Sequence, residues 1–154
     1  MYLRFVPHKA ATIANAFYDL AQSEGKQLTP MQLQKLVFIA HGFFMAVKGE
    51  PLIEEAVKAW QWGPVIPPLY NKLKHYGGGV IATRIPNVPD LPKASPEFEL
   101  VRAVWDGYKH YTAGQLSGIT HNPGTPWTVT WAAHPFGEIP NVLIADHYKH
   151  LLAA

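Results

Sequence analysis

Histidine is the chemically versatile side chain that this sequence supplies in number, with eight present against no cysteine. Zinc would draw on histidines at helical or turn spacing with a carboxylate beside them. The best local set is Asp146, His147 and His150. It gathers too few ligands for a closed or catalytic site, and imidazoles near a helix C-terminus are favoured there by the dipole alone. No metal and no cofactor are expected.

His121 has the richer setting, SGITHNPGTPW, with Ser117, Thr120 and Thr125 around it. A hydrolase would pair His121 with the Ser117 or Thr120 hydroxyl, on a strained nucleophile turn with an acid orienting the imidazole. Gly114-Gln115-Leu116-Ser117-Gly118 lacks the glycine-x-serine-x-glycine order of such a turn. The plainer expectation is that His121 ends a helix and bonds the backbone of the Asn122-Pro123-Gly124 turn. His41 lies mid-helix among apolar residues and reads as a satisfied core histidine. Glu54 and Glu55, adjacent in an extended stretch, point oppositely and make a poor acid/base pair. Gly77-Gly78-Gly79 lacks the Lys-Ser/Thr ending of a phosphate loop. No catalytic residue is assigned.

The stretch AWQWGPVIPPLY, Ala59 to Tyr70, carries two tryptophans and three prolines. Pro64 to Pro67 formally fits a polyproline ligand, but Pro67-Pro68 leads directly into a helical pattern, where missing N–H groups cost nothing. A corner of the fold is expected, with Gly63 allowing an unusual backbone angle and the tryptophans packing over a central helix. Lys58, Trp60, Trp62 and Arg84 are too few for a nucleic-acid surface.

The chain has 154 residues, 48% hydrophobic, with a formal charge of +2. These values fit one globular domain over 1–154 and indicate no basic footprint for nucleic acid. The segment MYLRFVPHKA has no apolar run of signal-peptide length, and Leu36 to Val47 is too short to span a bilayer. A soluble protein of the cytoplasm, without membrane contact, is expected.

The elements that would position these residues are mostly helical. Ala10 to Ser23 repeats apolar residues at helical spacing and stops near Gly25. Thr29, Pro30 and Gln32 form a capping-box start to a helix of about 30–48, ended by Gly49. Its apolar residues cover most of its circumference, so it should be the buried centre of a helical bundle. Pro67-Pro68 opens a helix with Leu69, Tyr70, Leu73 and Tyr76 on one face. Ser95-Pro96, Thr112 with Gln115, and Thr125-Pro126 start three more. The last helix carries Ile144, Tyr148 and Leu151 inward. The β-branched Val80 to Ile85 is expected to pair with about 55–62 as a two-stranded ribbon. After Ile85, the proline-rich loop 86–96 is the candidate variable contact.

Three blocks resemble the Panacea domain, the SocA-like antitoxin family of bacteria and phages. They are LTPMQLQKLVFIAHG (Leu28 to Gly42), AWQWGPVIPPLY, and LSGITHNPGTPW (Leu116 to Trp127). Trp62 stands where the family usually has tyrosine, and Phe38-Ile39 where tyrosine-phenylalanine is common. The resemblance implies an antitoxin that binds a toxin encoded beside it, by occluding it or delivering it to a protease. It further implies a shared binding groove involving Trp60, Trp62, Gly63, Pro64, Val65, Tyr70, His121 and Trp127. Family members pair with unrelated toxins, so the toxin is not named by the resemblance. A DNA-binding operon regulator would need a basic recognition helix, and Leu28 to Val47 is too apolar for that role. Oligomeric state is not readable.

Overall fold

A computed structural model describes residues 4–154; Met1, Tyr2 and Leu3, the opening of the MYLRFVPHKA segment, lie outside it. The fold is organised by one helix with almost no polar side. Helix α2 (Pro30–Lys48) begins with the full capping box, Thr29 Oγ1 accepting from Gln32 N and Gln32 Oε1 accepting from Thr29 N. It stops at Gly49, whose φ of 75° is left-handed. Leu33, Leu36, Val37, Phe38, Ile39, Ala40 and Phe44 are all buried on it. Around it pack α1 (Ala10–Ser23), α3 (Pro67–Leu73, continued by a 3-10 turn), α4 (Pro96–Tyr108), α5 (Ala113–His121) and α7 (Asn141–Ala153). Helix α6 (Pro126–Ala133) joins α5 to the periphery. Proline follows the N-cap in α2, α4 and α6, where its missing N–H would have had no helical partner.

The architecture is the expected mainly helical bundle with a two-stranded antiparallel ribbon. The second strand is not the expected one. Strand β1 (Lys58–Trp60) pairs with β2 (Gly63–Val65), with Lys58 opposite Val65 and Trp60 opposite Gly63, across the two-residue turn Gln61-Trp62. The turn closes because Gly63 takes a φ of 116°, which a side chain would resist. Residues 80–85 form no strand and bond to α1 and to the α1–α2 connection instead. Asn15 of α1 exchanges two hydrogen bonds with the Ile85 backbone (2.8 and 2.9 Å), and Ile81 N donates to Leu28 O (2.8 Å). A carboxamide on a helix has taken the place of a neighbouring strand. The loop 86–96 is tied down by buried Leu91 and by Asp90, which pairs with Arg84. Tyr70 and Leu151, expected inward, are 41% and 45% exposed.

The seat of α7 is built on two consecutive α2 residues. His41, fully buried, accepts from the Leu52 and Ile53 amides at Nδ1 (3.3 and 3.4 Å), which leaves Nε2–H to donate to Asn141 Oδ1 at 3.1 Å. This is the satisfied core histidine expected. Gly42 lies directly under the ring of Tyr148, which is 3% exposed.

Burial pushes the His41 pKa down to about 4 from its ordinary 6.5. The unfolded chain therefore takes up this proton first. The His41 contribution to stability is complete above about pH 6.5 and is lost as pH drops toward 4, by up to about 3 kcal/mol. The His41 ring resonance should hold its neutral position to about pH 4 in an NMR titration; a midpoint near 6.5 would contradict the buried assignment.

Candidate functional site

The ribbon is held by its main chain from three helices at once. Trp127 Nε1 of α6 donates to Trp60 O at 2.6 Å. Ser117 Oγ of α5 donates to Trp62 O at 3.0 Å. Lys35 Nζ of α2 donates to Pro64 O at 2.7 Å. Gln34, its neighbour, donates to Ile66 O at 3.1 Å and accepts from Ile66 N at 3.0 Å. Every second carbonyl from 60 to 66 thus receives a side-chain donor. The far edge of β1 is closed by residues 136–139: Phe136 N donates to Ala59 O, Ala59 N to Gly137 O and Ile139 N to Val57 O, each at 2.8 Å. Such a ribbon needs this support, because two short strands alone are marginal in water.

The three sequence blocks meet here. Gly63 and Pro64 are buried at the turn, with His121 and Trp127 behind it, their rings 5.3 Å apart in an edge contact. Trp60, Trp62, Val65 and Tyr70 line a groove of about 360 Å³ on the outer side. Trp60 and Tyr70 meet edge-on at 5.0 Å. Trp62 does not pack over α2; it is 65% exposed at the tip of the turn. Met31 and Phe136 complete the rim and are exposed as well. Phe136 holds a φ of 66°, unusual for an aromatic residue, and leans on Trp131, which stacks on Trp127 at 5.4 Å. Such strain survives only where surrounding contacts enforce it.

Lys35 lies at the floor of this groove and is 2% exposed. Burial lowers its pKa to about 7, with no carboxylate offsetting the loss of water. Sequence reading passed over Lys35, Met31 and Phe136. For Lys35 the signal was present: a charge inside a helix that is apolar on most sides has nowhere exposed to go.

His121 ends α5 as expected, but its hydrogen bond goes elsewhere. Its Nδ1–H donates to the Ser117 carbonyl one turn back, not to the Asn122-Pro123-Gly124 turn. Asn122 O instead receives the Thr125 and Thr128 hydroxyls at 2.8 and 2.7 Å. The Ser117 hydroxyl, 3.4 Å from His121 Nδ1, donates to Trp62 O, and Thr120 Oγ1 donates to Leu116 O. The nitrogen facing the hydroxyl already carries a proton, so this pair has the wrong polarity for a serine and its base. Among the described residues, no carboxylate hydrogen-bonds His121. At the C-terminus, His150 Nδ1 donates to Asp146 O within its own helix. No described helix is long and apolar enough to cross a membrane.

The family described as "Antitoxin SocA-like, Panacea domain" matches residues 33–128, which run from the first turn of α2 through the ribbon to the start of α6. A curated relative, "Antitoxin SocA" of Caulobacter vibrioides (strain NA1000 / CB15N), is 30% identical over 129 residues, covering 78% of this chain and 69% of that protein. No solved structure matches.

Proposed function

The chain belongs to the SocA-like antitoxin family defined by the Panacea domain, and from that premise we propose that it neutralises a cognate toxin by binding it directly. The observation that carries the reading is the exposed rim of Met31, Trp62, Tyr70 and Phe136 around an anchored ribbon. Exposed apolar side chains gathered around a groove are characteristic of partner surfaces, and aromatic anchors dominate the energy of such contacts. The ribbon's main chain is already fixed, so little ordering entropy remains to be lost on binding. Trp60, Gly63, Pro64, Val65, His121 and Trp127 form or support the same surface.

The test is co-expression. Each gene flanking this one is expressed alone and then with this protein, and viable colonies are counted. One neighbour should kill alone and be rescued, and the rescued toxin should co-purify with this chain at full abundance if binding occludes it. Disappearance of the toxin on co-expression would assign neutralisation to a protease. If no toxic neighbour is rescued, the toxin-binding reading fails.

A further inference from the structure

The groove has an apolar rim, but its floor holds a buried lysine with no carboxylate beside it. Of the residues lining it, Lys35 alone is charged, and no aspartate or glutamate is among them. The protonated Lys35 amine has three N–H groups, and its protein acceptor among the described residues is the Pro64 carbonyl. It is 2% exposed, so an anion reaching it would interact in a water-poor setting, where a charge-assisted hydrogen bond is stronger than at an open surface. Gly63 leaves room beside the amine: a Cβ there would lie 3.1 Å from Lys35 Nζ.

We infer that the groove reads an acidic side chain of the partner, its carboxylate on Lys35 Nζ and an adjoining bulky apolar residue among Trp60, Trp62, Tyr70 and Phe136. This inference rests on the toxin-binding reading and adds the chemistry of what is bound. A side-chain carboxylate fits better than a chain terminus. Reaching the buried amine with a terminus would draw peptide N–H and C=O groups into an apolar groove that offers them few partners. A glutamate reaches in on its own methylenes and leaves its main chain at the rim. The carboxylate also supplies the counter-charge that Lys35 lacks, since burial alone holds its pKa near 7.

The test uses N-acetyl-Phe-Glu-amide, its Phe-Gln counterpart and N-acetyl-phenylalanine with a free terminus, each titrated into the full chain by amide and indole NMR. The Glu probe should shift the Gly63 amide and the Trp62 indole, and bind about tenfold more tightly than the Gln probe, equivalent to ~1.4 kcal/mol. In Lys35→Met, checked for native spectral dispersion, the two should bind equally. In Trp62→Ala, whose ring is exposed, both should weaken together. Equal binding of Glu and Gln probes to the wild type overturns the inference, as does tighter binding of the free terminus or no binding by any probe. The wild-type comparison stands even if Lys35→Met does not fold. Colony rescue uses none of these probes, so loss of the Glu preference with rescue intact refutes the carboxylate alone. Absence of rescue refutes toxin binding separately.

Discussion

Gly42→Ala should lower the unfolding free energy by about 3 kcal/mol, at the upper end of the usual cost of overpacking a core. In a helix interior alanine is favoured over glycine by about 1 kcal/mol, so intrinsic propensity predicts the opposite sign. The reversal comes from Tyr148. A Cβ on Gly42 would lie only 2.2 Å from a carbon of its ring, and that ring is buried on α7, edge-on to Phe43 at 4.7 Å and to Phe38 at 6.0 Å. Neither partner can move without opening the contact between α2 and α7. For a chain of this size the loss corresponds to a melting temperature lower by roughly 6–12 °C. The check is a double-mutant cycle. In a Tyr148→Ala background the ring is gone, and Gly42→Ala should become neutral or stabilising. An unchanged penalty in that background would place its origin elsewhere.

Trp62→Ala should do the reverse: remove function and leave the fold intact. The Trp62 side chain is 65% exposed, while its carbonyl is held by Ser117 whatever the side chain. Its removal should change stability by no more than about 0.5 kcal/mol. As a central aromatic anchor it should cost at least ~2 kcal/mol of toxin binding, a loss of about 30-fold. Calorimetric melting and affinity for the rescued toxin are measured side by side. Full affinity in Trp62→Ala would move the interface away from this rim; a large drop in melting temperature would show that Trp62 serves the fold.

Local chemistry was the legible part of this fold. The pairs Thr29 with Gln32 and Thr112 with Gln115, and the Ser-Pro and Thr-Pro starts at 95–96 and 125–126, act over three or four residues and sit where their spacing says. The ribbon's partner was not legible, because Val80 to Ile85 has strand-like residues and what decides its fate is Asn15, distant by 70 positions. The site was legible in outline: Trp60, Gly63, Pro64, His121 and Trp127 do converge on one turn. Their individual roles were not. His121 faces its own helix, Trp62 faces solvent, and the residue at the floor is Lys35, whose task depends on a carbonyl brought to it from Pro64.

The ribbon's attachment has an evolutionary consequence. Its grips at Trp60, Trp62, Pro64 and Ile66 fall on main-chain carbonyls, with the Ile66 N–H held as well, and none of them depends on a ribbon side chain. The scaffold is therefore indifferent to which side chains positions 61, 62 and 65 carry. Substitutions there alter the face shown to the outside without disturbing the grips behind it. On the toxin-binding reading, a lineage with this arrangement would move from one adversary to the next by rewriting a handful of codons, while selection on folding registers almost none of the change.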